Sequence, residues 1–163
     1  DYKTLIEAVR DLPVKLIIAA LPRNLKDVGE LPPNVKALYL KRTETPPFAK
    51  GAEFIVITTI PENKMAGSDC SGQYSLLESM SYAKAVITTE RATLTGYFKG
   101  GEDGLIVSPY NVAELKEVIM TLWNDPKKAK MMGEAGRNKV RSQFTMEIFS
   151  RKLAEIFQKI ASK

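Results

Sequence analysis

The 163-residue sequence contains no histidine and a single cysteine, Cys70. Without histidine, imidazole acid–base catalysis is excluded within this chain. With one thiol and no imidazole, a zinc site is nearly excluded on the usual ligand sets, and no metal is expected. One cysteine allows no internal disulfide, which fits a reducing compartment, so a cytoplasmic location is expected. No apolar run approaches the ~20 residues of a membrane-spanning helix. Membrane contact is therefore expected only through an acceptor or another domain. The sequence opens on Asp1-Tyr2-Lys3 and passes straight into an amphipathic pattern, so no secretory leader is expected. Basic and aromatic residues do not interleave, so no nucleic-acid partner is expected. Internal repeats and low-complexity stretches are also lacking.

What is present is ordinary globular material. Hydrophobic residues make up 44% and charged residues 26%, enough apolar content for a packed core in one domain spanning 1–163. The net charge of +5 is spread along the chain. Its densest clusters, Lys127, Lys128 and Lys130, then Arg137, Lys139 and Arg141, lie on helix-like segments and read as solvated faces rather than as a site for an acidic ligand.

Five short apolar runs stand out: Val14 to Ala20, Val35 to Leu40, Phe54 to Thr59, Ala85 to Thr89 and Leu105 to Val107. Most lack polar–apolar alternation, as strands buried on both faces of a parallel sheet do. Helical stripes precede the first run (Leu5, Ile6, Val9, Leu12), separate the third from the fourth (Leu76, Leu77, Met80, Ala83) and follow the fifth (Leu115, Val118, Ile119, Leu122). Two further helices are expected through Lys163. The fold class is α/β, a Rossmann-like parallel sheet covered by helices. Asn111 with Glu114 predicts a capping box, and Asn124-Asp125-Pro126 a helix end followed by a helix start. The order opens with a helix, where a sheet of this kind normally opens with a strand. Either that helix is a terminal cap or a strand precedes it, and the second reading is preferred.

The stretch Ser68-Asp69-Cys70-Ser71-Gly72-Gln73-Tyr74-Ser75-Leu76-Leu77-Glu78 predicts a loop, an N-capping Ser71, a glycine and a helix. Backbone amides at a helix start beside a residue with no side chain make an anion site. Glu78 falls two turns on, ~10 Å from the cap, about the span from a diphosphate to its ribose. The same residues also read as an ordinary cap and a solvated glutamate.

The combination resembles the retaining GT-B glycosyltransferases of group 1 (family 4-like), in their C-terminal nucleotide-sugar-binding domain. The helix Leu77-Glu78-Ser79-Met80-Ser81 and the strand Lys84-Ala85-Val86-Ile87 are similar to that family's Leu-Glu-Ala-Met-Ala and Lys-Pro-Val-Ile. Tyr2 to Val9 is similar to its first donor-domain helix. Gly96-Tyr97 through Gly104-Leu105-Ile106-Val107 resembles its loop and Gly-Leu-Leu-Val strand, and Asn111 to Ile119 and Pro126 to Gly136 its closing helices. The resemblance implies that Glu78 holds the ribose of a nucleotide sugar and that the amides after Gly72, at Gln73, Tyr74 and Ser75, cradle its diphosphate. No cofactor is implied, and the Asp-x-Asp triplet of metal-dependent glycosyltransferases is absent.

Two departures from the family pattern stand out. Cys70 occupies the position of a glutamate that contacts the donor sugar, which leaves Asp69 as a substitute contact. The family's first strand, its glycine loop and its basic pair have no counterpart from Asp1 onward. The resemblance thus implies a donor domain that lacks its first strand and its partner, an N-terminal acceptor-binding domain, and that transfers no sugar alone. Arg91, in the loop after the fourth strand, either faces the phosphates or lies at the surface, the second being preferred, and Leu40 to Thr45 are expected near the base. Alternatives are a non-catalytic nucleotide-sugar-binding domain and a nucleotide-sugar 2-epimerase. A receiver module is disfavoured because the strand ends read Ala19-Ala20, Thr58-Thr59 and Thr88-Thr89 rather than acidic.

Overall fold

A computed structural model describes residues 1–60 and 72–161. All five apolar runs become strands: β1 (Leu16–Ala19), β2 (Val35–Leu38), β3 (Phe54–Ile57), β4 (Ala85–Thr89) and β5 (Gly104–Val107). The helices are α1 (Tyr2–Val9), α2 (Thr45–Gly51), α3 (Gln73–Ser81), α4 (Val112–Asn124), α5 (Pro126–Gln143) and α6 (Met146–Ala161). Every strand pairing is parallel. The strands nevertheless form two separate groups, β1-β2 and β3-β4-β5, with no ladder between β1 and β3.

β4 is buried at all five positions, which explains its unbroken apolar run Ala85-Val86-Ile87. Its side chains serve two cores on opposite faces. Ala85 and Ile87 join α1 and α4 (Leu5, Val9, Leu115, Ile119, Leu122), and Val86 joins Leu76 and Met80 of α3 with Leu94 and Phe98. The sheet is therefore covered on both faces, the α/β architecture expected from the sequence.

Local signals place the helices. Asp1 caps α1 by accepting from the Thr4 amide at 3.2 Å. Asn111 accepts from Glu114 N at 3.1 Å, while the Glu114 carboxylate reaches Ser108 N at 2.9 Å, so the capping box closes one turn further upstream than its usual form. Asp125 caps α5 from Lys128 N at 2.9 Å, directly before Pro126. Gly133 lets α5 lie on the turn after α3, because a Cβ there would sit 2.0 Å from the Ala83 carbonyl oxygen.

Candidate functional site

The site forms where β3 and β4 end and α3 begins. Thr59 and Thr89 tie the two strand ends together, with Thr59 N donating to Thr89 Oγ1 at 3.0 Å and the two hydroxyls 2.7 Å apart. Above this floor Gly72 stands at the N-cap of α3 in the left-handed conformation (φ 76°); Ser71, the expected cap, lies outside the described residues. Glycine is needed here for two reasons. A residue with a side chain resists that φ, and a Cβ would lie 2.9 Å from Ile57 Cγ2 and 3.4 Å from both Thr59 Cγ2 and Arg91 Nη1.

Arg91 corrects the expectation of a surface side chain. It follows β4, and its guanidinium nitrogens are buried, with Nη1 turned against Gly72. A fixed cation thus stands beside the positive end of the α3 macrodipole, and both favour an anion at this place.

Glu78 lies on α3, partly buried, in a cluster the sequence did not announce. Its Oε1 accepts from the Tyr74 and Tyr82 hydroxyls, each at 3.4 Å. Arg42, from the segment before α2, donates through Nη2 to the Tyr74 hydroxyl at 2.6 Å and lies 4.7 Å from the centre of that ring. Partial burial and the Glu78 charge hold the Tyr82 hydroxyl above its usual pKa range, so it stays a donor to the carboxylate. Tyr74 is 57% exposed and Ser75 is exposed, leaving that edge of α3 open. Leu40, Thr45 and Phe48 line the same concavity as Ser75, Glu78 and Tyr82. Arg42 was missed in the sequence because it meets Tyr74 across 32 residues.

Of the residues singled out in the sequence, the structure brings Gly72, Gln73, Tyr74, Ser75 and Glu78 onto one helix at the strand ends. Asp69 and Cys70 lie outside the described residues. Among the described residues no group of three acidic or cysteine side chains could hold a metal, and no helix is long and apolar enough to cross a membrane.

Residues 74–139, which begin within α3 and end within α5, match the glycosyl transferases group 1 family model. The matched stretch, less than half of the chain, is similar to the group 1 glycosyltransferases. A curated relative, D-rhamnosyltransferase WbpZ of Pseudomonas aeruginosa, is 38% identical over 72 residues, which are 44% of this chain and 19% of that protein. The matched stretch therefore spans about a fifth of that relative. Sucrose-phosphate synthase of Thermosynechococcus elongatus superposes over 98% of this chain and 42% of its own, with a TM-score of 0.74 and 18% identity. Anabaena HepE, solved with UDP and glucose, superposes over 95% of this chain and 44% of its own, with a TM-score of 0.74 and 19% identity. The C-terminal domain of a group 1 family protein (LpcC) from Francisella tularensis superposes over 89% of this chain and 80% of its own, with a TM-score of 0.67 and 19% identity. These similarities establish the GT-B C-terminal fold.

Proposed function

We propose that this chain is the donor-binding half of a retaining glycosyltransferase, and that the Gly72–Glu78 end of α3 holds a nucleotide diphosphate sugar. The observation that carries the reading is the pairing on one helix of an anion-favouring start, Gly72 with Arg91 beside it, and a carboxylate at Glu78 less than two turns on. The amides of Gln73, Tyr74 and Ser75 receive the diphosphate. Glu78, already oriented by Tyr74 and Tyr82, accepts from the ribose hydroxyls. The base lies toward Leu40 and Thr45, which share the concavity. That HepE was solved with UDP and glucose supports a nucleotide-sugar donor on this fold.

As the glycosidic bond breaks, negative charge grows on the departing diphosphate. The α3 dipole and the Arg91 guanidinium stabilise that charge most when it is greatest, which lowers the barrier rather than merely tightening binding. This work requires no metal. Sugar transfer also requires the acceptor side of an interdomain cleft, so the 163-residue chain alone transfers no sugar. Asp69 and Cys70 are the proposed sugar contacts.

The test is calorimetric titration with a panel of nucleosides, nucleoside diphosphates and nucleotide sugars. The reading expects a diphosphate to bind at least tenfold more tightly than its nucleoside. Equal affinities, or no binding by any member, would refute it.

A further inference from the structure

Four threonine hydroxyls stand at the C-terminal ends of β3 and β4, and three of them are unavailable to a ligand. Thr58 Oγ1 donates to the Asp1 carbonyl at 2.8 Å. Thr88 is fully buried, so its hydroxyl reaches nothing outside the fold. Thr89 is 2% exposed, accepts from the Thr59 amide at 3.0 Å and stands 2.7 Å from the Thr59 hydroxyl. We propose that the fourth, Thr59, donates a hydrogen bond to the outer phosphate of a bound nucleoside diphosphate. This role rests on the donor reading proposed above.

One proton of the Thr59–Thr89 pair has no acceptor. Each hydroxyl supplies one proton and two lone pairs. Their mutual contact uses one of the two protons, and neither hydroxyl meets another acceptor among the described residues. If Thr89 is the donor, it gives one bond and accepts one, so its buried hydroxyl is satisfied. The free proton then belongs to Thr59, which is only partly buried. If Thr59 were the donor, the free proton would be enclosed with Thr89, next along the strand to Thr88, whose hydroxyl already lacks a partner among the described residues. A buried donor without an acceptor is costly, so the first arrangement holds. Accepting from Thr89 also polarises the Thr59 O–H and makes it a stronger donor.

The surroundings select an anionic oxygen as the acceptor. Thr59 Cγ2 lies 3.4 Å from the point a Gly72 Cβ would occupy, and Arg91 Nη1 lies 3.4 Å from the same point. The free O–H thus stands between a buried guanidinium and the start of α3, where negative charge is favoured and a charge-assisted bond exceeds a neutral one. Thr59 packs against the cap of α3, whereas Glu78 lies less than two turns along the helix. With the ribose on Glu78, the phosphate beside the cap is the outer one. When the glycosidic bond breaks, its electron pair passes to an oxygen of that phosphate. The Thr59 bond strengthens as the charge grows, with no proton transferred.

The test is calorimetric titration of the 163-residue chain, Thr59→Val, Thr59→Ser and Thr89→Val with UDP, GDP and ADP, each against its monophosphate. Both valine variants break the hydroxyl pair, so both should melt at a lower temperature, but only Thr59→Val removes the free proton. For the diphosphate that the parent binds, Thr59→Val should lose about tenfold in affinity and the monophosphate less than about twofold. Thr59→Ser should keep the parent's ratio of diphosphate to monophosphate affinity. If Thr59→Val does not fold, Thr59→Ala gives the same comparison. An unchanged ratio in Thr59→Val or Thr59→Ala would overturn the role of Thr59 and leave the donor reading standing. An equal fall of the ratio in Thr89→Val would also overturn it, since the pairing and not the donated bond would then be what binding requires. A parent that binds no diphosphate would overturn the donor reading itself, and the role of Thr59 with it.

Discussion

Replacing Gly72 by alanine separates two costs that the structure distinguishes. The first is backbone strain, since φ at Gly72 is 76° and an L-residue there loses ~1–2 kcal/mol. The second is crowding, since the new Cβ would lie 2.9 Å from Ile57 Cγ2, and forced repacking of this kind costs ~1–3 kcal/mol. Gly29 provides the control. Its φ is 72°, yet a Cβ there would meet nothing within 4 Å, so Gly29→Ala pays the first cost alone. In urea unfolding, Gly72→Ala should lose ~2–4 kcal/mol and Gly29→Ala ~1–2 kcal/mol. If the two variants lose the same to within ~0.5 kcal/mol, the close approach of Gly72 to β3 has no energetic weight and the argument fails. At temperatures where Gly72→Ala remains folded, its preference for a nucleoside diphosphate over the nucleoside should shrink, because the methyl group stands between the α3 amides and Arg91.

Gly133→Ala would press a Cβ to within 2.0 Å of the Ala83 carbonyl oxygen, so α5 must move off α3; a loss of ~3 kcal/mol or more, or failure to fold, is expected in a thermal melt, and a loss under ~1 kcal/mol would contradict the packing. Lys139→Met strands the Asp103 carboxylate, 5% exposed and paired at 2.6 Å, and should cost ~2 kcal/mol in denaturant unfolding, with Asp103→Asn in the same chain recovering part of the loss. Cys70, outside the described residues, should be alkylated rapidly and be protected by a nucleotide sugar more than by a nucleoside; slow labelling that the donor does not change would remove it from the proposed sugar pocket and leave Asp69.

Some of this was legible in the sequence because it is local. β4 shows as an apolar run because it is buried on both faces, and Asn111 and Asp125 act on amides three residues away. Where tertiary packing decides, the sequence misled or was silent. The left-handed turn of Gly72 against Ile57 depends on contacts with β3 that no local pattern announces. Arg91 looked like a loop arginine, and only the juxtaposition of β4 and α3 turns it inward. The Arg42–Tyr74–Glu78 chain joins segments 32 residues apart, beyond any spacing rule.

The most direct test of the central claim is a thermodynamic cycle between Glu78 and the ribose hydroxyls. Binding of a nucleoside diphosphate and of its 2′,3′-dideoxy analogue would be measured by calorimetry on the parent chain and on Glu78→Gln. The account predicts that the parent loses ~1–3 kcal/mol with the dideoxy ligand and that Glu78→Gln loses much less, because the bond is already weakened. An equal loss in both proteins would show that Glu78 does not hold the ribose, and the donor site would have to lie elsewhere.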